Sequence, residues 1–134
     1  MELKYFQVAA FTDKLFSGNP AIVVELNEWL DNITLQNIAR ENSIDATAFF
    51  IEKDEEIELR WFTPDLELDL CGHATLATAF VLSTLKESRK DSFTFKTNSG
   101  LLHVSKKENL FIMDLPSRKP VKTDLPTFIK NSIN

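Results

Sequence analysis

Cys71-Gly72-His73 joins a thiol, a glycine and an imidazole directly ahead of Ala74-Thr75-Leu76-Ala77-Thr78-Ala79-Phe80-Val81-Leu82, a run of helix-forming composition with apolar residues on nearly every side. A helix there leaves the amides of its first turn unpaired, and these amides together with the macrodipole favour a carboxylate or a developing oxyanion. Cys71 reads either as a thiol whose pKa the helix end lowers or as a small buried hydrophobe. His73 reads either as a proton carrier or as a capping residue. A second set, Asp65, Glu67 and Asp69, alternates with Leu66, Leu68 and Leu70. Three aligned carboxylates could face a metal, but the wet side of a strand explains them more simply.

The rest of the chain must position these groups. Its 134 residues allow one domain, and 43% apolar residues with 11 Phe can fill its core. A net charge of −5 has the wrong sign for binding a phosphate backbone, so no nucleic acid is expected. One cysteine cannot form an internal disulfide, and with two histidines it is too little for a structural zinc site. Met1-Glu2-Leu3-Lys4 opens no signal-like apolar run, and Ala74 to Leu82 is too short to span a bilayer. We therefore expect a soluble, cytoplasmic protein without membrane contact. With only 3 Gly, Gly18, Gly72 and Gly100 are expected to mark backbone geometries that other residues resist.

β-Branched and aromatic composition predicts strands over Tyr5 to Phe11 and Ala21 to Val24, around the turn Ser17-Gly18-Asn19-Pro20. Further strands are expected over Thr47 to Glu52, Ile57 to Phe62, Leu66 to Leu70, Phe93 to Thr97, Leu101 to Ser105 and Asn109 to Leu115, the last three as a meander. Asp31 or Asn32 can cap a surface helix with a stripe of Ile33, Leu35, Ile38 and Ala39. The helix after Gly72 has no polar face, so strands must enclose it, and Ala74, Ala77 and Ala79 let sheet backbone come close. The fold class is α+β, a mostly antiparallel sheet around a central buried helix with a second helix on the surface. From Pro116 the composition turns to Pro116, Pro120 and Pro126 with Ser117-Arg118-Lys119 between, which reads as linker, before Thr127-Phe128-Ile129-Lys130-Asn131 opens a last helix.

Gly18-Asn19-Pro20-Ala21, Leu59-Arg60-Trp61-Phe62-Thr63-Pro64 and Asp69-Leu70-Cys71-Gly72-His73-Ala74-Thr75-Leu76-Ala77 resemble, in order and spacing, the signature blocks of the phenazine-biosynthesis PhzF-like proteins. The resemblance covers about residues 1 to 125. It implies a diaminopimelate epimerase-like fold of two pseudo-symmetric domains with the active site between them. It also implies isomerisation of a small carboxylic acid by a proton shift, without metal or organic cofactor. On this basis the site residues are His73, Asp45 and Cys71 for catalysis and Gly72, Gly18 and Asn19 for substrate.

This sequence departs from the family pattern in two ways. Family members are about twice as long, so residues 1–116 read as the N-terminal half domain and 117–134 as a linker-like tail where a second domain would begin. The general acid/base Glu of the family belongs in a stretch like Asn-Leu-Ser-Glu-Thr-Ala-Phe, and here Ser43-Ile44-Asp45-Ala46-Thr47-Ala48-Phe49 puts Ala46 in its place. Asp45 can substitute only where the backbone is irregular, because neighbours in an extended segment face opposite ways; otherwise it is a turn or capping residue. Cys71 resembles the thiol base of diaminopimelate epimerase, which needs a second, facing thiol. The expectations are a feeble or inactive isomerase, a silent relic or small-anion-binding module, or half of a heteromer. An isolated half is expected to self-associate, as a homodimer that could bring two Cys71 residues together.

Overall fold

The first hairpin sets the site's geometry. Strand β1 (Tyr5–Ala10) pairs antiparallel with β2 (Asn19–Glu25), from Tyr5 opposite Val24 to Ala10 opposite Asn19. The structure, a computed structural model, describes residues 1–54, 56–86, 90–117, 119–124 and 126–132. The loop between β1 and β2 is held by the Thr12 hydroxyl, which accepts from the Lys14 amide at 3.0 Å and meets Ser17 Oγ at 2.8 Å. Gly18 takes φ +90°, and a Cβ there would lie 2.4 Å from the Ala10 carbonyl oxygen, so only glycine fits.

Helix α1 (Asn32–Asn42) follows, and of the two candidate caps Asp31 is the one used. Its carboxylate accepts from the Thr34 amide at 3.0 Å and the Thr34 hydroxyl at 2.7 Å, which hold its pKa below the ordinary value. Leu35 and Ala39 are buried, but Ile33 is 74% exposed. Two residues of helix rotate a side chain by roughly 200°, which puts Ile33 opposite Leu35 and off the buried stripe.

Strand β3 (Thr47–Lys53) lies parallel to β2, and β4 (Glu56–Phe62) antiparallel to β3. Strand β5 is only Glu67–Leu68, shorter than the alternation from Leu66 to Leu70 predicts. A tight turn causes this: Thr63 Oγ1 accepts from the Asp65 and Leu66 amides, and the Thr63 amide donates to the Leu66 carbonyl at 2.8 Å. Helix α2 (Gly72–Phe80) runs into a π-helical segment, Val81–Leu85, closed by the Lys86 amide on the Val81 carbonyl at 3.0 Å. The expected meander follows as β6 (Ser92–Thr97), β7 (Gly100–Lys107) and β8 (Leu110–Asp114), with β6 parallel to β4. Residues 115–117, 119–124 and 126 have no regular structure before α3 (Thr127–Ser132).

Among the described residues eight strands form one sheet, ordered β1-β2-β3-β4-β6-β7-β8 with β5 beside β4. Five pairings are antiparallel and two parallel. The sheet curls around α2. Ala21 and Val23, Ala48 and Phe50, Leu59 and Trp61, Phe95, Leu102 and Val104 face inward into one core with Ala74 and Ala77 of the helix. Alanine at these helix positions lets the sheet close in, and each large side chain so buried stabilises the fold by about 1.5–3 kcal/mol. The outer face of β2, β3 and β4 is covered by α1: Ile22, Val24, Phe49 and Phe62 pack on Leu35 and Ala39. Strand β2 is therefore apolar on both faces. The enclosure of α2 is incomplete, contrary to the expectation from its composition: Leu76 and Phe80 line a cleft, and Phe80 is 36% exposed.

Candidate functional site

Gly72 is the first residue of α2, so the expected helix N-terminus exists, with Cys71 as its cap residue in extended conformation (φ −141°, ψ 103°). No side chain caps it. The Cys71 carbonyl instead accepts from the Thr75 amide at 3.1 Å and the Thr75 hydroxyl at 2.6 Å, which locks the first turn. Cys71 Sγ and His73 Nδ1 lie 3.5 Å apart. His73 Nε2 is buried and has no hydrogen-bond partner among the described residues. Burial lowers the imidazole pKa, and the nearby Asp45 carboxylate and Pro20 carbonyl offset part of that. The neutral ring is therefore favoured.

Of the two readings of Cys71, the structure favours the small buried residue: burial pushes the thiol up, and the Ala74 amide facing the sulfur offsets only part of the rise. Only the thiolate is strongly nucleophilic or basic, so this thiol is poorly prepared for either role in the free chain.

The site draws on three elements. The start of α2 and its cap bring Cys71, Gly72 and His73, the start of β2 brings Pro20, whose carbonyl acts on His73, and the residue just before β3 is Ala46. The Ala46 carbonyl accepts from the Ile22 amide at 3.0 Å, tying the last two together. Ala46 is 0% exposed and belongs to the same core as Cys71 and Ala74. Asp45 is exposed, in a bend after the left-handed Ser43 (φ 51°). The backbone there is irregular, and the Asp45 carboxylate acts on His73 electrostatically while its side chain stays on the surface.

The glycines divide. Gly18 serves the loop, where its missing Cβ makes room for the Ala10 carbonyl and Thr12. Gly72 has no left-handed φ, and a Cβ there would meet only the Met113 methyl, at 3.4 Å. The expectation that its backbone excludes other residues is therefore not met at this position. Asn19 opens β2 opposite Ala10. Met113 of β8, beside Gly72, is a site neighbour the sequence did not single out, although the alternation of half-buried Phe111 and Met113 with exposed Leu110 and Ile112 carries its signal. Glu67 is engaged with Arg60 at 2.7 and 2.8 Å, and no group of three His, Cys, Asp or Glu that could hold a metal occurs among the described residues. No helix of the described residues is long and apolar enough to cross a membrane.

A curled sheet around a helix whose N-terminus meets an imidazole and a thiol defines one domain of the diaminopimelate epimerase-like class. The chain belongs to the PhzC-PhzF family of phenazine biosynthesis-like proteins, whose model matches residues 8–131. It is 49% identical over 120 residues to an uncharacterized isomerase of Pseudomonas aeruginosa, covering 90% of this chain and 46% of the relative. A phenazine biosynthesis PhzC/PhzF protein from Clostridium difficile superposes with TM-score 0.86 at 41% identity, covering 98% of this chain and 51% of the other. A PhzF-family protein from Enterococcus faecalis gives TM-score 0.81 at 43% identity, covering 97% and 50%. The chain thus spans about half the length of the relatives it matches.

Proposed function

We propose that this chain holds a small carboxylate at the N-terminus of α2 and carries the anion half of a proton-shift isomerase site, with little or no turnover of its own. One observation supports this above the others. At the position before Thr47-Ala48-Phe49, where the resemblance calls for the acid/base Glu, stands Ala46, a methyl group fully buried in the same core cluster as Cys71 and Ala74. A positioned general base contributes about a hundredfold to ten-thousandfold, and Asp45 stands exposed on its bend. In this reading Gly72 and the first-turn amides hold the substrate carboxylate, His73 carries the proton with Nε2, Cys71 lies behind the ring, and Gly18 and Asn19 bound the substrate. Neither metal nor organic cofactor enters the scheme.

Residues 1–116 form the half domain and 117–134 a linker-like tail in this scheme. Two copies associating through their α2 ends would make a closed site as a homodimer. The test is deuterium incorporation at the α-carbon of amino acids and of a cyclic dihydro acid, followed by NMR. The wild-type chain is expected to exchange little above buffer, and Ala46→Glu to raise the rate by about a hundredfold or more. A folded Ala46→Glu protein with no gain would count against the scaffold reading and favour a silent anion-binding module. A wild-type rate that collapses in Cys71→Ser would favour the racemase-like homodimer.

A further inference from the structure

Among the described residues two buried side-chain polar atoms have no hydrogen-bond partner, Trp61 Nε1 and His73 Nε2. His73 belongs to the site described above, whereas Trp61 does not. Trp61 is 1% exposed and sits in the inward core, on β4. A buried N–H without an acceptor costs free energy that native folds otherwise avoid, so this donor calls for a cause. The chain's other tryptophan shows the usual outcome: the Trp29 indole donates to the Glu58 carboxylate at 2.7 Å.

The strand register shows which position could meet the Trp61 donor. Directly opposite it stand Ala48 on β3 and Leu68 on β5, and neither side chain can accept. Two residues back along β4, Leu59 is apolar; two residues on, Thr63 Oγ1 is taken up by the Leu66 carbonyl and the Asp65 and Leu66 amides. The diagonal neighbours are Phe50 and Ala46, which share the inward core with Trp61. Diagonal positions of an antiparallel pair lie about 7–8 Å apart, a span that an aromatic ring and a long side chain can bridge. Position 46 also adjoins the imidazole's surroundings. The Ala46 carbonyl is bonded to the Ile22 amide of β2, and two residues before Ile22 is Pro20, whose carbonyl acts on His73. In the strand order β2-β3-β4, a side chain at 46 therefore has the strand that touches His73 on one side and the strand that carries the indole on the other.

We infer that the Trp61 indole N–H is a positioning donor for an acceptor side chain at position 46, holding one oxygen of a carboxylate or amide there. In this chain the position holds a methyl group, and the donor meets no acceptor among the described residues. The inference rests on the reading that the general base of the site belongs at position 46, and adds to it the group that fixes that base's aim and charge. An N–H bond to one oxygen favours the ionised carboxylate, which burial alone would disfavour.

The test is a proton–nitrogen correlation spectrum of the full 134-residue chain, whose two tryptophans give two indole peaks, assigned with Trp61→Phe. Ala46→Glu and Ala46→Gln are each expected to move the Trp61 peak downfield and to leave the Trp29 peak in place. In Ala46→Glu the Trp61 peak should also titrate with pH as the carboxylate takes up a proton, and in Ala46→Gln it should not. In the isotope-exchange assay, adding Trp61→Phe to an active Ala46→Glu chain should lower the rate by about tenfold to a hundredfold and raise the pH midpoint by about one unit or more. A Trp61 peak that stays put in the folded variants overturns the inference even if Ala46→Glu gains activity, in which case the function proposed above stands without it. A shifted peak with no activity upholds the inference and counts against that function. Failure of Ala46→Gln to fold would also overturn it, because a neutral acceptor met by a waiting donor should be accommodated. So would a wild-type Trp61 indole that exchanges with solvent as fast as a free indole.

Discussion

Three glycine-to-alanine substitutions separate backbone strain from steric clash. Gly100 has φ +104° with nothing within 4 Å of a built Cβ, so Gly100→Ala meets only the cost of a left-handed residue, about 1–2 kcal/mol. Gly18 has φ +90° and in addition a backbone oxygen, Ala10 O, at 2.4 Å and Thr12 Cγ2 at 2.5 Å. The oxygen belongs to the hairpin's own ladder and cannot retreat without opening the pair of Ala10 and Asn19. Overpacking of that kind adds about 1–3 kcal/mol, so Gly18→Ala is expected to lose roughly 2–5 kcal/mol in all. Gly72 lacks a left-handed φ and would touch only the end of flexible Met113, so Gly72→Ala should cost less than about 1 kcal/mol. Urea unfolding followed by tryptophan fluorescence reads the series. With a slope near 1.5 kcal/mol/M, the Gly18→Ala midpoint should fall by roughly 1.5–3 M, Gly100→Ala by about 1 M, and Gly72→Ala by less than about 0.7 M. Equal shifts for Gly18→Ala and Gly100→Ala would refute the reasoning, because the close approach at Ala10 would then carry no energy.

Other expectations follow from the site and from the sheet's outer face. His73 has its pKa lowered from 6.5, so the unfolded chain binds more protons than the folded one between the two values. Stability from this group is complete above pH 6.5 and is lost as pH falls through that window, and His73→Gln should flatten the slope of urea midpoint against pH there. Cys71, buried with its pKa raised, should react with a disulfide reagent at pH 8 at least about a hundredfold more slowly in the native chain than in urea, and labelling at the free-thiol rate would contradict the burial. Arg60 forks onto Glu67 while its guanidinium lies 5.2 Å from the ring centroids of both Trp29 and Phe62, so Arg60→Lys should cost roughly 1–3 kcal/mol in the same unfolding assay.

The strands were legible where one face is wet and the other buried, as in Ile57, Leu59 and Trp61 alternating with Glu58 and Arg60. Helix α2 was legible as a central element because small residues cluster at Ala74, Ala77 and Ala79, and α1 because Asp31 precedes an amphipathic run. Composition could not reveal the gap beside Leu76 and Phe80, since an apolar residue reads alike whether its cover is present or missing. The length of β5 depended on the Thr63 turn, a side-chain interaction that hydrophobic period does not record. At the site, the Cys71-Gly72-His73 run located the helix end, but whether helix dipole or burial governs the thiol is a contest of tertiary environment. Burial prevails. Ala46 was legible only through a neighbouring motif, because an alanine carries no chemical signal of its own.

The widened turn at Val81–Leu85 is what delivers Lys86 to Glu25 and Glu52, two carboxylates from adjacent strands, with the ammonium also over the Phe50 ring at 5.6 Å. Removing one residue from this turn would rewind it as ordinary helix and swing everything beyond by about 100°. The cation would leave both acids, and the connection to β6 would start from the wrong side of the helix. Length in these five positions is therefore constrained as well as composition: Val81 and Leu82 are held by the core they fill, and a single-codon deletion would displace everything that follows them.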